Sequence, residues 1–203
     1  MGKGKIEFRG ILKDFKDLPR QEIPENAVKV EGFGSFSGML LGSLIVFLLI
    51  IILKGFLVSL KAHMVGIDEA SVDAWVWQGF VLAILSLPLH EYLHILALPK
   101  AFKKYIWIVP KMVGVAVSYD GALSRGRCIF VSLFPNLLLG VLPLILWMFL
   151  PIESVVVSNT LLTYANLSLI CGGGDFTSVF LTVVTVPRGK MVQDSGSDVY
   201  WFD

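Results

Sequence analysis

Leu82-Ala83-Ile84-Leu85-Ser86-Leu87-Pro88-Leu89-His90-Glu91-Tyr92-Leu93-His94-Ile95-Leu96-Ala97-Leu98 decides the reading of this chain. It closes an apolar run over residues 74–98, long enough to cross the hydrocarbon of a bilayer as a helix, which takes about 20 residues. Yet it carries two histidines and a glutamate. An ionisable group at membrane depth costs about 2.5–3.5 kcal/mol on insertion scales, so each one calls for a partner or a task.

Three further runs of similar length lie over residues 38–60, 128–150 and 155–186, and Lys54 is the one Lys or Arg within any of the four. The composition agrees: 203 residues, 55% hydrophobic, 16% charged, with a mean hydropathy of +0.75. Charge is well below the quarter usual in soluble domains, which argues against a soluble or disordered chain. The formal net charge of +1 offers no basic field for a polyanion, so no nucleic-acid partner is expected. Cys128 and Cys171 sit inside apolar runs and imply no disulfide scaffold. The first apolar run begins after a long charged segment and exceeds a signal h-region, so it reads as a true span.

The polar connections orient these spans. Residues 1–37 carry Lys3, Lys5, Arg9, Lys13, Lys16, Arg20 and Lys29, and the connection between spans two and three carries Lys100, Lys103, Lys104, Lys111, Arg125 and Arg127. Between spans one and two, Lys61 faces Asp68, Glu69 and Asp73; the third connection holds Glu153. The positive-inside rule then puts both termini and the 99–127 loop in the cytoplasm, with Trp75, Trp77 and Trp147 at the outer interface.

The cytoplasmic loop has its own pattern. Tyr105-Ile106-Trp107-Ile108-Val109 and Val113-Gly114-Val115-Ala116-Val117, split by Pro110-Lys111, read as a hairpin whose edge could hold an extended peptide. A short strand is also expected around Lys5–Leu12. The expected fold is therefore an all-α membrane protein of four transmembrane helices, with a small cytoplasmic β-hairpin between helices two and three. Residues 1–37 form a cytoplasmic extension, 38–186 the transmembrane domain and 187–203 a cytoplasmic tail, in a multi-pass protein of the cell membrane.

His90-Glu91-Tyr92-Leu93-His94 is an HExxH motif. On a helix, residues four apart share a face, so His90 and His94 can offer imidazoles to one metal ion. Glu91, next to the first ligand, is placed to take a proton from a water at that ion. The remaining histidine of the chain, His63, falls outside the motif at the outer side.

A catalytic zinc has three protein ligands and an open position. Glu153 is the one downstream glutamate, but it falls at the outer mouth. His90 lies 10 residues from Lys100, about 15 Å along a helix, and Asp175 lies 13 residues from Arg188, about 20 Å. The two depths agree, so Asp175 is preferred over Glu153 as the third ligand. Gly172-Gly173-Gly174 before it would weaken a helix and allow close backbone approach. Asn136 and Asn166 are the other polar groups at depth, read as partners of a ligand, as donors to a developing oxyanion or as bridges between helices.

An HExxH in one membrane helix and an Asp behind small residues in a later one resemble the site-2-protease class of intramembrane zinc metalloproteases. The chain is more closely similar to the bacterial DUF3267 group, whose members are called "putative zincin peptidases". The similarity runs through His90-Glu91-Tyr92-Leu93-His94, the strand-rich loop to Tyr119, Phe134-Pro135-Asn136, Asn166 with Gly174-Asp175, and a tail with Val192-Gln193-Asp194 and Val199-Tyr200-Trp201. The resemblance implies Zn2+ held by His90, His94 and Asp175, with Glu91 as general base. In place of the Asn-Pro-x-x-Asp-Gly form of site-2 proteases this chain has Gly-Gly-Gly-Asp-Phe.

The expected function is an intramembrane zinc metalloendopeptidase that cleaves membrane-embedded or membrane-adjacent segments of a protein or peptide substrate. The alternative is a metal-binding membrane protein without hydrolysis, such as a carrier, a sensor or a pseudoprotease. Four spans make a thin wall around a polar site, which leaves room for a homodimer.

Overall fold

A computed structural model describes residues 4–32, 36–71, 75–110, 114–151 and 154–203. Helix α1 (Phe36–Val65) is followed by α2 (Trp77–Ala97), α3 (Arg125–Asn136), a π-helical turn (Leu137–Val141), α4 (Leu142–Phe149), α5 (Val155–Cys171) and α6 (Gly173–Thr185). Leu40–Val65, Trp77–Ala97 and Arg125–Phe149 are each long and apolar enough to cross a membrane. The pair α5 and α6 passes the same test only as one unit, bent by 49° at its break. The chain is thus a membrane protein with three such helices among the described residues, or four if the bent pair is one span. Residues such as Leu41, Leu48, Ile52, Phe56, Ile84 and Leu85 remain exposed, a surface that suits lipid.

The helices meet where side chains are small. Gly79 of α2 lies against Thr163 of α5, Gly42 of α1 against Thr177 of α6, and Gly140 of the π turn against Leu169 of α5. Small residues let membrane helices approach closely, where dispersion and hydrogen bonds hold them. The core between α1, α4 and α5 is Ile50, Val58, Ala62, Leu144, Trp147, Leu162, Ala165 and Leu169.

Two residues that the sequence puts on the outer side, Lys61 and Trp147, are buried in the protein. Helix α1 runs on to Val65, which brings Lys61 within it at 2% exposure. The Lys61 ammonium donates to the carbonyls of Trp147 and Leu150 (3.0 Å to the latter), closing the C-terminal end of α4 where carbonyls lack helical partners. Trp147, at 1% exposure, lies 4.5 Å under that ammonium and donates its indole N–H to Ser158 Oγ at 3.0 Å. A cation that caps a helix end and an aromatic ring account for the inward turn of both.

The chain is mainly helical but not all-α: two sheets lie at one end of the helices. Strand β1 (Ile6–Ile11) pairs in parallel with β3 (Lys104–Val109), which pairs antiparallel with β4 (Gly114–Tyr119). The expected strand at residues 5–12 is present, and the two runs of the loop do pair; Lys111, Met112 and Val113 of its turn lie outside the described residues. A second sheet has the order β2 (Val28–Lys29), β7 (Asp198–Phe202), β6 (Met191–Ser195), β5 (Leu123–Ser124). Gly196, at φ 64°, supplies the left-handed residue of the turn between β6 and β7.

These sheets pack on helix ends. Tyr119 and Leu123 join Ala97, Leu98 and Val131, while Val30, Val192 and Val199 join Val186 beyond α6. The Gln21 carboxamide links the sheets: it donates to Tyr119 O at 2.7 Å and accepts from the Gly121 N–H at 3.0 Å and from Gln193 Nε2 at 3.3 Å. Burial beside Tyr119 pushes the Asp194 carboxyl up to about 6, although the Tyr119 hydroxyl bonds to it and works the other way. The sheet layer fixes the ends of α2, α3 and α6, the three helices that meet at the site.

Candidate metal centre

His90 and His94 stand one turn apart on α2, seven and three residues before its end at Ala97. Their rings sit 5.0 Å apart at 75° to each other, with His90 only 8% exposed. Asp175 reaches them from the first turn of α6. That turn exists because the α5–α6 path breaks at Gly172, and a helix N-terminus favours a carboxylate. Its Oδ2 lies 3.0 Å from His90 Nε2, and its Oδ1 lies 3.4 Å from His94 Nε2. Donor atoms of His90, Glu91 and His94 all fall within 4.8 Å of one another. The structure thus brings together His90, Glu91, His94 and Asp175. Glu153, the other candidate third ligand, lies outside the described residues.

Helix α3 closes the site from the third side. The Asn136 carboxamide donates through Nδ2 to Asp175 Oδ2 at 2.8 Å. His94 Nδ1 lies 2.9 Å from the carbonyl oxygen of Val131. The sequence reading named Asn136 as a polar group at depth but did not place it in the site. Asn166, named with it, donates to Leu162 O of its own helix at 2.8 Å. Between two such asparagines, nothing in the sequence tells which faces the cluster; Pro135 beside Asn136 is the one local irregularity that could have pointed there.

The donor set fits zinc. Ligands 2.0–2.1 Å from a tetrahedral ion lie about 3.3–3.4 Å from one another; the 3.4 Å contact matches that spacing and the 3.0 Å contact is a few tenths of an ångström shorter. The tautomer of His94 is the stronger argument. A carbonyl oxygen only accepts, so His94 Nδ1 carries the proton given to Val131 O. In the neutral ring Nε2 is then bare, and it faces a carboxylate oxygen that is equally an acceptor. Two acceptors 3.4 Å apart in a buried site need a cation or a proton between them. An imidazole fixed by a carbonyl behind it is the usual arrangement of a metal-binding histidine.

Comparison with known proteins bears on the same residues. The model of the DUF3267 family, described as "Putative zincin peptidase", matches residues 83–190. The match covers more than half of the chain and includes all the residues above. No curated protein and no solved structure matches. With the HExxH motif, α3 and Asp175 all inside the matched stretch, the chain belongs to the DUF3267 family.

Proposed function

We propose that the protein is an intramembrane zinc metalloendopeptidase that cleaves membrane-embedded or membrane-adjacent segments. The observation that carries this reading is the convergence of His90 Nε2, His94 Nε2 and the Asp175 carboxylate beside Glu91. A zinc ion held by these three donors supplies Lewis acidity to a peptide carbonyl and to a water. Glu91 is the general base: its carboxylate takes the water's proton and returns it to the leaving amine. His90, His94 and Asp175 would hold the ion. Strand β4 is an edge of its sheet and Tyr119 at its end packs beside Ala97 and Val131, so an extended substrate segment can add by backbone hydrogen bonds to the part of β4 before Tyr119, whose carbonyl already accepts from Gln21. The sheets flank the helix ends that the charge pattern assigns to the cytoplasm, which supports a reading with both termini and the entry path on that side of the cell membrane.

The test uses the full chain reconstituted in liposomes with a panel of single-span model helices, and in micelles with unfolded casein. The parent cleaves, and Glu91→Gln binds zinc like the parent but does not cleave. Cleavage by Glu91→Gln at the parent rate would refute the mechanism. A parent that binds zinc without any Glu91-dependent product is instead a metal-binding carrier, sensor or pseudoprotease.

A further inference from the structure

We infer that α3 is the positioning element of the metal centre: Pro135 frees the Val131 carbonyl to orient His94, and Asn136, seated in the space left by Gly172, orients Asp175. The inference rests on the zinc reading above and adds residues to it.

The argument begins with a missing donor. In an α-helix the carbonyl of residue 131 would accept from the N–H of residue 135, and proline has none. Pro135 lies within α3, so the Val131 carbonyl keeps an open lone pair deep in the protein, and His94 Nδ1 fills it at 2.9 Å. A buried carbonyl without a partner is costly. The proline thus creates an acceptor that selects the His94 tautomer and turns Nε2 toward Asp175. Immediately after Asn136 the helix takes the π form over Leu137–Val141, an irregularity that recurs at functional sites.

The next residue does the same for the carboxylate. Asn136 is 1% exposed, and its Nδ2 donates to Asp175 Oδ2 at 2.8 Å. A carboxylate only accepts, which fixes the orientation of the amide. Gly172 explains where the amide sits. Its φ is −78°, open to any residue, so glycine is not needed there for conformation. It is needed for room: a Cβ at Gly172 would fall 1.7 Å from Asn136 Oδ1, 2.5 Å from its Cγ and 2.7 Å from its Nδ2. The break between α5 and α6 therefore both starts the helix that carries Asp175 and makes space for the group that holds it.

The experiment measures zinc affinity of the purified full chain by chelator competition, and the visible spectrum of its cobalt-substituted form. Loss of an outer partner weakens metal binding by about 10- to 100-fold. Pro135→Ala restores an N–H and a helical hydrogen bond, so it does not unfold α3; it should weaken zinc within that range and alter the tetrahedral cobalt bands. Asn136→Ala and Gly172→Ala should each do the same, and the double variant should bind no worse than Asn136→Ala alone, because both act through one amide. Parent-like affinity and spectra in Pro135→Ala and Asn136→Ala, or losses that add in the double variant, would overturn the inference. A parent that binds no zinc would instead overturn the reading on which it rests.

Discussion

Replacing Asp175 with asparagine keeps the shape of the side chain and removes its charge. In the native arrangement both carboxylate oxygens are engaged: Oδ2 by His90 Nε2 at 3.0 Å and Asn136 Nδ2 at 2.8 Å, Oδ1 by His94 Nε2 at 3.4 Å. An asparagine there has one oxygen to offer. Its NH2 must face either the Asn136 NH2, donor against donor, or an imidazole nitrogen that would otherwise hold the metal. Four-ligand zinc sites bind with about 10–16 kcal/mol at neutral pH, or roughly 3 kcal/mol per ligand. At 1.4 kcal/mol per decade, loss of this ligand should weaken zinc by about a hundredfold, before the misplaced amide is counted. Zinc content of the purified protein, with a chelator titration for affinity, measures this. A Kd for Asp175→Asn within about threefold of the parent would refute the ligand assignment.

Zinc should also stabilise the fold, since a ligand that binds only the native state adds about 2.7 kcal/mol at a hundred times its Kd. Thermal unfolding in detergent should show this shift in the parent and not in His90→Ala. At the α2–α5 crossing, a Cβ on Gly79 would come within 2.5 Å of Thr163 Cβ and 3.0 Å of Thr160 O, so Gly79→Ala should cost about 1–3 kcal/mol by overpacking. Denaturant unfolding with a parent-like midpoint would count against that crossing. Asp194 has a folded pKa of about 6 against a usual 3.8, so the native state holds its proton more tightly than the unfolded chain. Its contribution is fully present below about pH 4 and is lost as pH rises through 6, by no more than about 3 kcal/mol. Unfolding followed from pH 4 to 7 should show this decline, and Asp194→Asn should flatten it.

The helical part of this architecture is legible because lipid imposes a length rule. Three of the four apolar runs appear as single paths within a few residues of their expected ends, and 155–186 appears as a bent pair broken where three glycines stand. The sheets were only half legible. Tyr105–Val109 and the stretch at Lys5–Leu12 are β-branched or aromatic enough to announce strands, but Val28–Lys29 and Leu123–Ser124 are two residues each and carry no period. Gly196-Ser197 is a two-residue turn signal, but neither Met191–Ser195 nor Asp198–Phe202 alternates apolar and polar residues, so the tail hairpin carries no strand period. Trp147 stands at the end of α4 where the apolar run ends, and Lys61 within α1; their burial could not be read, because a helix end in need of a cation decides their direction. At the site, spacing alone gives the histidine pair and depth gives Asp175. Which of Asn136 and Asn166 partners a ligand, and that the Val131 carbonyl does so, could not be read, since these depend on the rotation of α3 and on a backbone group.

The most direct measurement is zinc X-ray absorption on the purified full chain. The account predicts one zinc per chain with two imidazole nitrogens and oxygen donors at about 2.0–2.1 Å and no sulfur. A sulfur ligand near 2.3 Å, a single imidazole, or no bound zinc would contradict it.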